Sequence, residues 1–248
     1  AKIHYDLGEA KSYSNLSLVY YYQGKYEKDL AYSLKAIHIF EKLNDLENLS
    51  LEWGELGYRM KKRNLAKAIQ YMQKSKQIAE KNNLQKPLLS IYNNYGVLKE
   101  MKVEYDSALF YYEKGLALKQ KINDQVGIPY SLNNIAGVFV LRKQFDKAEE
   151  NYQKALEIRK KINDTVGIAE NYSYLGDLHL MQKDFKKAIG FYQKSTEITD
   201  KHKYLGLSQD SYHKISECFE NLGEHQNALQ NFKKFSALKD SLINQETN

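Results

Sequence analysis

The stretch Asn171–Ser195, NYSYLGDLHLMQKDFKKAIGFYQKS, decides the fold. In its first half Tyr172, Leu175, Gly176 and His179 recur at i, i+3, i+4 and i+7, which is one apolar stripe of a helix. After a short polar break, Phe185, Ala188, Tyr192 and Ser195, with Ile198 beyond, draw a second stripe. The same pair stands upstream as Leu132, Ile135, Ala136 and Phe139, a turn at Lys143-Gln144, then Phe145, Ala148, Tyr152, Ala155, Leu156 and Ile158. Two stripes joined by so short a break describe two antiparallel helices.

The unit repeats along the chain. The small residue of each "Tyr/Phe-x-x-Ala" element falls at Ala68, Ala108, Ala148, Ala188 and Ala228, each 40 residues after the last. A further copy, KYEKDLAYSLKAI, puts Asp29 at that place, 39 residues before Ala68. The linkers Lys121–Ile128 (KINDQVGI) and Lys161–Ile168 (KINDTVGI) are nearly identical at the same spacing. A fixed period of this size is the signature of a stacked repeat array. The sequence therefore predicts an all-α, right-handed solenoid of about twelve helices in six pairs, approximately 8–44, 45–84, 85–124, 125–164, 165–204 and 205–242, forming one domain over residues 1–248. Asp124 and Asp164 stand where a helix N-cap is needed. Gly96, Ala136 and Gly176 mark close approaches within a pair, met from the other side by the alanine column. The second unit, with Trp53-Gly54-Glu55-Leu56-Gly57, fits the template only with a one-residue gap.

These residues carry a family resemblance. The first helix reads aromatic/Leu-x-x-Leu/Ile-Gly/Ala-x-x-aromatic and the second Ala-x3-Tyr/Phe-x2-Ala, which resembles the tetratricopeptide repeat over residues of roughly 8 to 240. The usual repeat has about 34 residues and a proline after its second helix. Here the period is 40 and that proline is missing, as in the long repeats of kinesin light chains, mitotic-orientation adaptors and bacterial peptide-pheromone receptors. Asp6–Ala10 aligns with the linker Asp164–Ala169, so Ala1–Tyr5 reads as the last turn of an earlier helix and both ends read as cut. Phe232–Glu246, FKKFSALKDSLINQE, resembles the segment closing the array in bacterial sensor histidine kinases and membrane-tethered transcription regulators. That resemblance implies a membrane tether after residue 248, homodimerisation through the full-length protein, and a periplasmic location ahead of a cytoplasmic one.

Composition narrows the function. No run of about 18 apolar residues exists to span a bilayer. The net charge of +6 raises nucleic acid as a partner, but all but four of the 37 basic residues are lysine, interspersed with 31 acidic ones. That is a solvated outer surface, whereas base-edge reading favours arginine forks, so no nucleic-acid partner is expected. Neither a phosphate-binding glycine loop nor a nucleophile elbow is present, and the histidines form no metal-ligand spacing. Cys218 reads as a small buried hydrophobe and His179 as a satisfied, half-buried core histidine. The expectation is a non-enzyme without metal or cofactor.

What remains is surface. The positions one step off the core stripe of the first helices give Asn15, then Asn93 and Asn94, then Tyr130, Asn133 and Asn134, then Tyr174 and Asp177. In the resembling families this is the concave, ligand-holding face. Glu170, Asp177, Asp210, Glu217 and Glu220 make its C-terminal part acidic. An asparagine amide both donates and accepts, so a row of them at Asn15, Asn94 and Asn134 can grip a peptide backbone without regard to sequence; the same amides can instead bridge helices. The carboxylate clamp of chaperone-binding repeats is absent: its asparagine place holds Leu18, Val97, Gly137 and Asp177. The expected function is a peptide- or protein-binding module, the sensory or scaffold part of a bacterial signalling protein; the alternative is a structural, self-associating array packed on its own output domain.

Overall fold

The computed structural model describes the backbone of residues 2–247 and the side chains of residues 5–243. Twelve helices follow one another, and no strand occurs among the described residues. They are α1 (Lys2–Tyr22), α2 (Tyr26–Lys42), α3 (Leu46–Met60), α4 (Leu65–Lys81), α5 (Gln85–Met101) and α6 (Tyr105–Lys121). Then come α7 (Gly127–Leu141), α8 (Phe145–Lys161), α9 (Thr165–Met181), α10 (Phe185–His202), α11 (Leu205–Asn221) and α12 (His225–Thr247). The contacts gather into two compact units, Ala1–Ile122 and Asn123–Asn248, where the sequence alone suggested a single domain. Within each unit every helix packs on the next, the all-α solenoid plan in which a repeat leans chiefly on its neighbours. Among the described residues no helix is long and apolar enough to cross a membrane.

The turns follow a local rule. Almost every one places a residue in the left-handed region, and between repeats that residue is Asn44, Asn83, Asn123 or Asn163, with φ between 51° and 56°, or Lys203 at the last, with φ 58°. Asparagine tolerates this conformation because its short polar side chain bonds locally. The aspartate that follows can then cap: Asp164 Oδ1 accepts the Gly167 N–H at 2.9 Å and Asp124 Oδ1 the Gly127 N–H at 2.8 Å. This rule explains one correction. Asp6–Ala10 was expected to be a linker, yet α1 runs unbroken from Lys2 to Tyr22. Tyr5 stands at the place where Asn44, Asn83, Asn123, Asn163 and Lys203 take a positive φ, and its own φ is not positive, so the backbone does not turn there.

The core is built at two columns of small residues. Ser17, Gly57, Gly96, Ala136, Gly176 and Ser216 on the first helices, like the alanine column on the second, are all buried. Gly96 and Gly176 are the tightest: a Cβ there would lie 2.5 Å from the ring of Tyr112 or Tyr192. The ill-fitting second repeat also resolves. Its α3 has 15 residues where α5 and α9 have 17, and its turn takes four residues, Lys61–Asn64, where theirs take three. The one-residue gap is the difference.

Two sequence departures in the first unit compensate each other. Asp29 stands at the alanine position, and Arg59 stands where the later repeats carry Leu98, Val138, Leu178 and Cys218. Both are buried, and Arg59 donates from Nε to Asp29 Oδ1 at 3.1 Å and from Nη2 to Ser33 Oγ at 2.7 Å. A buried charge is tolerable only when paired and hydrogen-bonded in this way.

Candidate binding cleft

In the second unit an open cleft of about 320 Å³ lies along α9 and α11. α9 contributes Glu170, Ser173, Tyr174 and Asp177, and Tyr192 of α10 forms the floor. α11 contributes Asp210, His213 and Lys214, with Leu207 and Ser211. Glu170, Ser173, Tyr174 and Asp177 recur 40 residues later as Asp210, His213, Lys214 and Glu217, so the cleft is one set of helix positions used twice.

The core shapes this site. Gly176 leaves room for the Tyr192 ring to lie flat beneath α9, and its hydroxyl then reaches the cleft and donates to Asp177 Oδ1 at 2.6 Å. Asp177 keeps exposed surface, yet the crowding around its carboxylate withdraws water and raises its pKa. Asp210 and Glu217 push the same way, against the Tyr192 hydrogen bond and Lys214. Burial of the Tyr192 phenol, with Asp177 beside it, holds its own pKa far above the ordinary value. Tyr174 is 38% exposed and stacks on Tyr152 at 5.5 Å between centroids. Partial burial, followed by the Glu170 charge, raises its pKa.

Glu170 is held from below. Arg159 of α8 is fully buried and donates to Glu170 Oε2 at 2.9 Å, while its guanidinium carbon lies 4.9 Å from the centre of the Tyr130 ring. Tyr130 is thus tied to the cleft through Arg159, with half of its surface exposed. On the other wall Lys214 contacts Glu217 at 3.3 Å.

The expected site residues divide. Tyr174 and Asp177 line the cleft, and Tyr130 approaches it through Arg159. Asn134 is half-buried on α7. Asn133, expected on the binding face, is buried: Asn171 Nδ2 donates to its Oδ1 at 2.9 Å and to the Tyr152 carbonyl at 3.1 Å. Asn133 therefore bridges α7 and α9, because one step off the core stripe is still inside when the next repeat covers that side. In the first unit Asn15 is exposed on α1, and Asn93 and Asn94 are half-buried on α5, Asn93 Nδ2 donating to Asn94 Oδ1 at 3.3 Å. His213, Lys214, Leu207 and Ser211 were missed; advancing the α9 positions by one period would have found the first two.

Two features proposed as core are in the core. Cys218 is buried, and burial pushes its thiol up to about 11, which leaves no thiolate nucleophile near neutrality. His179 is more buried than expected and less satisfied. Neither ring nitrogen makes a hydrogen bond; Nε2 lies 3.7 Å from Glu149, and the ring stacks on Phe191 at 5.3 Å.

Helix pairs stacked into two units, with a polar cleft open on the first helices of one, define a repeat solenoid. The tetratricopeptide repeat family profile matches residues 10–47 and 128–201. Those stretches are tetratricopeptide repeats. No curated protein sequence matches the chain. Among solved structures it is similar to a signal transduction ATPase with numerous domains, carrying a tetratricopeptide repeat sensor, from Pyrococcus horikoshii. That likeness has 20% identity and a TM-score of 0.76, over 97% of this chain and 38% of that one. A Rap protein complexed with Competence and Sporulation Factor is similar at 16% identity and TM-score 0.65, over 96% of this chain and 66% of that one. A kinesin light chain with nearly identical repeats from Podosopora anserina follows at 14% identity and TM-score 0.66, over 79% of this chain and 98% of that one.

Proposed function

We propose that this chain is a protein- or peptide-binding module, and that the α9–α11 cleft takes an extended segment presenting a lysine or arginine. One observation carries the reading: Glu170, Asp177 and Asp210 converge around exposed Tyr174 in an open cleft, on a chain whose net charge is +6. With Glu170 paired to Arg159 from below and Lys214 paired to Glu217, the carboxylates of Asp177 and Asp210 leave an acidic site that a cationic side chain complements, and a tyrosine face adds cation–π attraction. Asn134 and Tyr130 extend this surface along α7. Asn15, Asn93 and Asn94 are a separate candidate stretch in the first unit. A sensory or scaffold role in bacterial signalling is supported by the shared fold of the Rap protein complexed with its factor and of the protein with a tetratricopeptide sensor.

Panning a random-peptide library on the intact chain tests the reading. Enriched peptides should carry lysine or arginine, and their affinity should fall as salt rises. Asp177→Asn with Asp210→Asn should cost about 1.5–3 kcal/mol of binding, on the order of 10- to 150-fold in Kd. Failure to enrich any peptide, or affinities indifferent to the double change and to Tyr174→Ala, would remove the cleft from consideration.

A further inference from the structure

Helices joined by such short turns run antiparallel, so each unit has two edges. One edge gathers the turns that lead from a second helix into the next first helix, and these carry Asp45, Asp124 and Asp164. The other edge gathers the turns inside each pair, and its charge has the opposite sign. In the first unit it carries Lys61-Lys62-Arg63 between α3 and α4. In the second it carries Arg142-Lys143 between α7 and α8 and Lys183 between α9 and α10. Its carboxylates Glu104 and Asp184 are already matched, Glu104 by Lys99 and Lys102 and Asp184 by Lys187. The second unit holds as many acidic as basic residues, so its basic edge is a separation of charge.

The same edge is apolar at its tips. Met101 and Val103 in the first unit, and Leu141 and Met181 in the second, are 41% to 66% exposed. All four belong to interior pairs, each preceded and followed by another pair. Val103 holds φ 62° and still exposes an apolar side chain; strain kept at such a position points to a use other than folding. Arg63 lies 3.8 Å from the centre of the half-exposed Tyr26 ring, which ties the α3–α4 turn to the start of α2. In the second unit Lys143 and Lys147 line a hollow of about 360 Å³ with Gln144, Phe145, Asp146 and Gln182. The two ammonium groups and two amides there are donors for phosphate oxygens, and Asp146 is an acceptor for a headgroup ammonium.

We infer that this edge docks on an anionic lipid bilayer, with its lysines at the headgroups and its apolar tips just below them. Lysines in place of arginine forks, and aliphatic tips in place of stacking aromatics, favour lipid over nucleic acid. The edge shares no residue with the α9–α11 cleft, so either reading can fail without the other.

Co-sedimentation with vesicles of phosphatidylcholine and phosphatidylserine in equal parts, against vesicles of phosphatidylcholine alone, tests it. The chain should pellet with the first and not with the second, and should be released as salt rises. Each lysine near an anionic surface is worth about fivefold in partitioning, so Lys143→Asn with Lys183→Asn should weaken it about 25-fold. Those positions hold φ 57° and 61°, which asparagine adopts readily, so melting followed by circular dichroism should match the parent. Leu141→Ser with Met181→Ser should weaken partitioning and leave its salt dependence unchanged. Lys121→Gln with Lys161→Gln, exposed on the opposite edge, is the control and should bind like the parent. Equal losses from the two lysine pairs would mean that overall charge attracts the chain, and would overturn the inference. A parent that stays in solution with both vesicles, including one that retards duplex DNA instead, or that binds both vesicles alike, overturns it too.

Discussion

Substituting Gly176 with alanine tests whether the contact that builds the cleft is as tight as it looks. The added Cβ would lie 2.5, 2.7 and 2.8 Å from Cε1, Cδ1 and Cζ of Tyr192, a ring only 1% exposed and without room to retreat. Overpacking of this kind costs about 1–3 kcal/mol. Moving the ring also strains the 2.6 Å bond from its hydroxyl to Asp177, worth about 1 kcal/mol at a carboxylate that water partly reaches. Alanine is the better helix former by roughly 0.5–1 kcal/mol, which offsets part of the loss. The net expectation is a destabilisation of about 1.5–3 kcal/mol, or a Tm lower by roughly 3–12 °C for a chain of this length. Gly190→Ala is the matched control: nothing lies within 4 Å of that Cβ, so only the propensity gain remains and the Tm should rise slightly. In a Tyr192→Leu background the Gly176→Ala penalty should shrink or vanish, since the clashing ring is gone. Thermal melts of the four variants suffice. A Gly176→Ala protein that melts at or above the parent, or a penalty that survives loss of the Tyr192 ring, would refute the reasoning.

Val103 adopts φ 62° at an exposed turn, a strained conformation for a β-branched side chain; Val103→Gly should stabilise by about 1 kcal/mol, read from chemical denaturation. Asp29→Ala should cost about 3–5 kcal/mol by stranding the buried Arg59 charge, and Asp29→Ala with Arg59→Leu should recover much of it; equal losses for the single and double changes would mean that the pair is not coupled. Burial first, then the bonds to Glu80 and Asp200, push the Tyr92 and Tyr212 phenols up to about 12 from 10.0. Their folded pKa values are raised, so their contribution is complete below pH 10.0 and is lost as pH rises through about 12. Tyr92→Phe with Tyr212→Phe should therefore flatten the alkaline fall in stability, followed by melts alongside tyrosinate absorbance.

The architecture was legible because it is periodic. A helix pair that recurs every 40 residues needs no long-range information: the stripe at Leu132, Ile135 and Ala136 already states which faces are inside. The small columns were legible for the same reason, since Gly96 and Gly176 recur at fixed places. The acidic tendency around Asp177 and Asp210 could also be read from the positions one step off the stripe.

What the sequence could not weigh was how much of each helix the following repeat covers. Asn133 and Asn134 are adjacent and look alike on a helical wheel, yet only Asn133 is enclosed, because its amide meets Asn171 of the next first helix. Nor could periodicity explain its own exceptions. Asp29 and Arg59 read separately as faults in two repeats, and only their 3.1 Å contact shows one compensated change. The sequence by itself determined the helix pairs, their period and their inward faces, since these depend on residues three and four apart. The tertiary structure decided which polar side chains reach water, which bridge helices and which gather into a cleft, because those outcomes depend on neighbours one repeat away.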